Sequence, residues 1–183
     1  MKTKMIMVGN VAVGGGNDVS IQSMLNIRSD DIIGNVEQAK QLEAAGCQII
    51  RTAVPDKESA VLISRLKEQL TIPVVADIHF DYRIALEAVA AGADKIRINP
   101  GNIGDEGRVK SVAKACMNAG IPIRIGVNAG SLEKDLLGKY GSPTPEALIE
   151  SAQRHIALLE RFDFTDIILS IKTSNLTAMI AAN

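Results

Sequence analysis

Tryptophan is absent from this chain, and only three phenylalanines and two tyrosines occur among its 183 residues. So few flat rings leave little for base stacking, which argues against single-strand nucleic-acid binding. An excess of one charge is missing too: 20 Lys and Arg stand against 21 Asp and Glu, a formal net charge of -1. No global field therefore draws in nucleic acid or an anionic membrane, although a local basic pocket is still allowed. Cysteine is scarce. Cys47 and Cys116 lie far apart and outside any Cys-x-x-Cys spacing, so neither a disulfide framework nor a zinc site is expected. Both read as buried, Cys47 opening an apolar strand and Cys116 sharing a helical face with Val109, Val112, Ala113 and Gly120. No apolar run is long enough to cross a bilayer, and the N-terminus lacks a signal peptide's apolar core and cleavage site, so the expected location is cytoplasmic.

What is present is 46% hydrophobic and 22% charged residues, enough apolar material for a sizeable globular core. Met5 to Val13 has two short β-prone arms around Gly9-Asn10, a hairpin signal followed by the Gly14-Gly15-Gly16-Asn17 turn. This segment, 1–17, is expected to cap the bottom of something larger. Beyond it a unit recurs: a helix closing in Ala-Gly (Ala45-Gly46, Ala91-Gly92, Ala119-Gly120), a strand rich in Ile and Val, then a polar turn capping the next helix. Core-facing helical spacings are carried by Ile33, Val36, Ala39 and Leu42, by Ile63, Leu66 and Leu70, and by Leu148, Ala152, Ile156 and Leu159. Strands are expected near 19–24, 48–54, 73–79, 94–99, 122–127 and 166–172, and a further helix from about Asn175. Strands apolar on both faces and alternating with helices indicate parallel βα units.

The ends of these strands carry the chemistry: Arg51, then Asp77 and His79, Arg97 and Asn99, Arg124 and Asn128, and finally Ser170 and Lys172. Because strand side chains alternate, Asp77 and His79 share one face, as do Arg97 and Asn99, and Ser170 and Lys172. At least five strands aim polar groups at one mouth, which favours a barrel over a doubly wound sheet, whose ligand sits mainly at one switch point. A complete barrel typically takes roughly 250 residues. The expected fold is therefore α/β: an incomplete TIM-type (β/α) barrel of about six βα units over 18–183, preceded by the hairpin. An open barrel leaves apolar edges, so the isolated chain is expected to be weakly stable or prone to aggregate.

A desolvated guanidinium needs a carboxylate or a bound anion. Asp77, Asp94 and Asp105 are candidate internal partners, but three arginines at equivalent positions outnumber the inward acids. A phosphorylated ligand is the better explanation, since guanidinium forks suit diphosphate oxygens and Lys172 adds a point charge. Asp77 and His79 can hold a hydroxyl, bind a metal or exchange protons; two lone ligands do not make a metal site, so hydrogen bonding to substrate is favoured. His155 lies on a helix and reads as surface or boundary. The turn Asn99 to Asp105 reads as an ordinary βα turn, whereas the long connection Asn128 to Gly141 reads as a lid or binding loop.

Three stretches then stand out: Asp77-Ile78-His79-Phe80-Asp81-Tyr82-Arg83, Arg97-Ile98-Asn99-Pro100-Gly101-Asn102-Ile103-Gly104, and Ile121 to Asp135 with its Arg124-Ile125-Gly126-Val127-Asn128 core. With Gly9-Asn10-Val11 and Gln22-Ser23-Met24, they make the chain resemble the 4-hydroxy-3-methylbut-2-en-1-yl diphosphate synthase family of the non-mevalonate isoprenoid pathway. The likeness runs over essentially the whole chain. It implies a two-electron reductive dehydration of 2-C-methyl-D-erythritol 2,4-cyclodiphosphate, with an N-terminal barrel holding the substrate and a C-terminal domain carrying a 4Fe-4S cluster. Flavodoxin or ferredoxin supplies the electrons, and family members are homodimers. Carried over by position, Arg51, Arg97, Arg124 and Lys172 bind the diphosphate, while Asp77, His79, Asn99 and Asn128 orient the sugar-derived part and nearby phosphate oxygens. The departure is the cluster: its cysteine and glutamate ligands belong to the C-terminal domain, and Cys47 and Cys116 cannot replace them. The expected chain thus holds the substrate half of a site, with no catalytic residue of the redox half. Two alternatives stand beside it, a Schiff-base aldolase using Lys172 and a non-catalytic phosphate-ligand binding module.

Overall fold

The structure is a computed structural model describing residues 3–183, so the first two residues of the expected hairpin segment lie outside the described residues. Its eight strands are β1 (Ile6–Val8), β2 (Val11–Val13), β3 (Gln22–Met24), β4 (Ile49–Ala53), β5 (Val74–Asp77), β6 (Lys95–Ile98), β7 (Ile123–Asn128) and β8 (Ile167–Lys172). The helices are α1 (Ile32–Ala44), α2 (Val61–Gln69), α3 (Tyr82–Ala90), α4 (Pro100–Ile103), α5 (Glu106–Ala119), α6 (Lys134–Tyr140), α7 (Pro145–Glu160) and α8 (Leu176–Ala182). β3 to β8 form one parallel sheet in sequence order, each strand pairing with the next across a helical crossover. This is six βα units of a barrel, as the alternation of strand and helix signals requires.

Helix starts follow the polar turns. Asp31, Asp81, Asp105, Thr144 and Asn175 each accept a hydrogen bond from a first-turn N–H and so fix where α1, α3, α5, α7 and α8 begin. Because Asp31 caps α1, its buried stripe runs through Ile32, Asn35, Val36 and Ala39. Ile33 falls off that stripe and is 74% exposed, contrary to its expected core position. Gly120 likewise leaves the expected core face of α5: it is the left-handed C-cap (φ +66°) and exposed.

The two faces of the sheet bury different things. Outward residues such as Ile50, Val74, Ile96, Ile98, Ile123 and Ile125 pack with helix residues Leu62, Leu66, Val109, Val112, Cys116 and Leu148 in one large cluster. Inward, only Ile49 and Val75 join a second cluster, and they meet Val8 of the hairpin, with Val11, Val13 and Ile168 around them. β1 and β2 pair antiparallel with Val8 opposite Val11, leaving Gly9-Asn10 as the two-residue turn. Gly9 takes φ +54°, and a Cβ there would lie 2.9 Å from Pro73 Cβ, so the turn tip presses on the chain just before β5. Lys4 Nζ pairs with Asp166 at 2.7 Å, tying the hairpin to the start of β8. The hairpin therefore floors the lumen at the N-terminal ends of the strands, and all polar inward groups lie above it.

Candidate functional site

Strand register fixes which side chains converge. Arg97 lies beside Asp77 on one side and Arg124 on the other, while Arg51 and Lys95 both flank Val75 one level below. On β7 and β8, Gly126 faces Ser170 and Asn128 faces Lys172. The lumen thus receives Arg51, Lys95, Arg97 and Arg124, with Asp77 as the buried acid among them.

Asp77, 1% exposed, organises the upper level. Its Oδ2 accepts from Arg51 Nη2, its Oδ1 accepts from Arg97 Nη1 at 3.1 Å, and His79 Nε2 sits 3.5 Å from Oδ2. One carboxylate thus aligns two guanidinium forks, leaving a net positive cluster that only an anion balances. Among the described residues, the buried Arg51 Nε–H has no hydrogen-bond partner. Arg124 Nη2 donates to Ser170 Oγ at 2.8 Å, a neutral partner; burial, then the Arg51 and Arg97 charges, hold its guanidinium below the usual range. Asp94 and Asp105 do not enter the site, since they pair with Lys67 and Arg108 on the outside.

Of the residues expected at the site, Arg51, Asp77, Arg97 and Arg124 are brought together, with His79 at their rim on the segment just past β5 and half exposed. Asn99 caps α4 by accepting from Gly101 N at 3.1 Å, and its Nδ2 lies 3.5 Å from Ser131 Oγ, linking the loops that follow β6 and β7. Asn128 and Lys172 end their strands side by side; Lys172 is exposed and makes no ion pair among the described residues. A cavity of about 400 Å³ lies below, lined by Gln22, Lys95, Arg124 and Ser170, with Ile49 and Ile168 at its base.

Three contributors escaped the sequence reading. Lys95 shares the face of Arg97 and Asn99 by plain alternation, so its position was available. Gly126 is the second: Arg97 packs on its bare backbone, and a Cβ there would lie 2.6 Å from Arg97 Nε, the close approach that a glycine inside a strand signals. His155 is the third. It is buried, not surface, and its Nε2 lies 2.9 Å from Glu133 Oε1, with Ser151 Oγ donating to the same oxygen at 3.0 Å. Burial outweighs the Glu133 charge and lowers the imidazole's pKa, favouring its neutral form. The connection after Asn128 is accordingly no free lid. It folds as a 3-10 turn and α6, and Leu136, Lys139 and Tyr140 anchor α6 to α7 through apolar burial and Glu150.

A family model described as the GcpE TIM-barrel domain matches residues 3–183. The chain belongs to the GcpE TIM-barrel domain family. Curated relatives include the 4-hydroxy-3-methylbut-2-en-1-yl diphosphate synthase (flavodoxin) of Caldanaerobacter subterraneus subsp. tengcongensis, 54% identical over 180 residues that make up 98% of this chain and 51% of the relative. The enzyme of the same name from Anoxybacillus flavithermus is 54% identical over 99% of this chain and 50% of its own length. The chain thus spans about half the length of the curated relatives it matches. Among solved structures, a dihydropteroate synthase from Xanthomonas albilineans (TM-score 0.64, 16% identity) covers 91% of this chain, which covers 64% of that one. A phospho-2-dehydro-3-deoxyheptonate aldolase from Thermotoga maritima (TM-score 0.65, 16% identity) covers 95%, and this chain covers 48% of it. At such identities the likeness concerns the fold, and it agrees with a TIM-type barrel.

No group of three or more His, Cys, Asp or Glu placed for a metal occurs among the described residues. Cys47 is buried with its thiol donating to Ile49 O at 3.2 Å. Cys116 is buried under α5, where desolvation pushes its thiol up to about 12, far from a ligating thiolate. Among the described residues, no helix is long and apolar enough to cross a membrane.

Proposed function

We propose that this chain is the substrate-binding part of an oxidoreductase that converts 2-C-methyl-D-erythritol 2,4-cyclodiphosphate to 4-hydroxy-3-methylbut-2-enyl diphosphate in isoprenoid biosynthesis. Four cations gathered in the lumen carry this reading: Arg51 and Arg97 share the carboxylate of Asp77, while Lys95 and Arg124 have only neutral partners, Gln22 and Ser170. A compact diphosphate matches that surplus in charge and in fork geometry. Asp77, already aligning two arginines, presents them in fixed orientation; His79, Asn99 and Asn128 line the rim, where hydroxyl groups of the ligand fit, and Lys172 adds charge at the mouth. The names of the relatives support the activity and flavodoxin as electron donor.

The residues of the barrel bind and orient; none of them is assigned the redox step. In this proposal electrons come from a 4Fe-4S cluster held by residues outside this chain, the working enzyme is a homodimer, and it resides in the cytoplasm. Residues 1–17 act as the floor of the barrel, and 18–183 as the substrate-binding unit. The 183-residue chain alone should bind the cyclic diphosphate in calorimetry without turning it over. Arg97→Ala should weaken binding by about 1.5–3 kcal/mol, the value of a lost hydrogen bond to a charged group. Unchanged affinity would remove Arg97 from the site.

A further inference from the structure

Lys95 is 3% exposed, yet among the described residues its ammonium has no acidic partner, and its one hydrogen bond runs to Gln22 Oε1 at 3.5 Å. The charges acting on it are all positive, Arg124 from β7 and Arg51 from β4, whose Nε–H is itself buried and, among the described residues, unpartnered. Asp77 on β5 is taken by Arg51 and Arg97, the neighbour across β5 is Val75, β8 and the hairpin contribute neutral Ser170 and Val13, and Asn183, whose terminal carboxylate exerts no resolved effect on Lys95, also lines the cavity. A buried ammonium with only neutral and like-charged neighbours is costly unless an anion joins it. The cavity of about 400 Å³ above the apolar floor has room for one.

We infer that Lys95, with Gln22 and Arg124, forms a lower anion subsite in the lumen that takes one phosphoryl group, beneath the arginine pair aligned by Asp77. The inference rests on the phosphorylated-ligand reading above and adds to it a residue and a depth: the ligand descends one strand level below Arg97 and Asp77. It also adds a proton. Burial and the two arginines hold the empty Lys95 at about 8, and a bound phosphoryl group draws the charged form back, so binding above that pH must take up a proton.

The test is isothermal titration of the 183-residue chain with inorganic pyrophosphate and with orthophosphate at pH 7 and pH 9. Parallel runs use Lys95→Met, Lys95→Arg and Arg97→Ala, each checked for folding by circular dichroism. Lys95→Met should weaken pyrophosphate binding at pH 7 by about tenfold or more. The wild-type advantage over Lys95→Met should shrink by about tenfold at pH 9, because the ionisation of pyrophosphate is common to both proteins and cancels in the ratio. Lys95→Arg, charged throughout, should keep the pH 7 affinity and lose the protein's share of the pH dependence, so the case stands even if Lys95→Met does not fold. If orthophosphate binding also weakens in Lys95→Met, the subsite takes a free phosphate; if only pyrophosphate binding weakens, it takes the second group of a diphosphate. Wild-type affinity in Lys95→Met at pH 7, or the same pH dependence in Lys95→Arg as in the wild type, would overturn the subsite. Arg97→Ala separates the two levels: loss there with none in Lys95→Met sinks the lower subsite alone. Loss in Lys95→Met with none in Arg97→Ala removes the mouth pair instead.

Discussion

Gly126 shows how much a missing methyl can control. The Arg97 guanidinium lies across the Gly126 backbone, and a Cβ there would lie 2.6 Å from Arg97 Nε and 2.8 Å from Cζ. The arginine's end is flexible, so Gly126→Ala should leave the fold intact and push the guanidinium away from Asp77. We expect the variant to melt within a few degrees of the wild type yet lose roughly tenfold in diphosphate affinity, without any change of charge. Calorimetry beside a thermal melt checks this, and equal affinity would show that Arg97 does not need its seat. The arginines and Asp77 could be read from alternation along apolar strands, because their faces follow from a period of two. The partner choice could not: that Asp77 serves Arg51 and Arg97 while Asp94 and Asp105 turn outward depends on depth in the sheet, which periodicity does not encode.

Among the elements, strands were legible because parallel strands buried on both faces appear as short Ile and Val runs, and helix starts because Asp, Asn and Thr caps mark them. The connection after Asn128 was less so. Its 3-10 turn and α6 are held by side chains from α7, which lies beyond it in sequence, and His155 looked peripheral because its partner Glu133 is 22 positions away. That pair pins the chain beside Asn128 and Ser131 to α7. His155→Leu should cost about 1–3 kcal/mol, since Glu133 is left partly buried with an oxygen that already lacks a partner. The pH dependence has a definite sign. Burial lowers the folded imidazole's pKa below its ordinary 6.5, so as pH falls through 6.5 the unfolded chain takes up the proton first and stability drops. Urea titrations from pH 7 to pH 5 should show that drop in the wild type and a shallower one in His155→Leu.

For the whole molecule, the sheet has two open ends. Among the described residues, neither β3 nor β8 has a strand on its outer side. Apolar side chains are exposed there, Val19, Ile21 and Met24 beside one edge, Leu169, Leu176 and Ile180 beside the other. Unpaired N–H and C=O rows flanked by apolar groups recruit other chains. In sedimentation velocity the average mass of the 183-residue chain should rise with concentration, and Ile21→Lys combined with Ile180→Lys should suppress the rise. A concentration-independent monomer would mean that the edges are better shielded than their exposure implies.

The valine floor has an electrical consequence as well as a steric one. Val8, Val11 and Val13 with Ile49, Val75 and Ile168 place a layer of low polarisability directly below four cationic side chains. Field lines avoid such a layer and leave toward the polar end, so the hairpin, which carries no site residue, turns a buried cluster of charge into a beam directed out of the mouth. In the proposed role, an anion approaching the mouth would be guided down the barrel axis before it touches any arginine, and salt would dull that guidance.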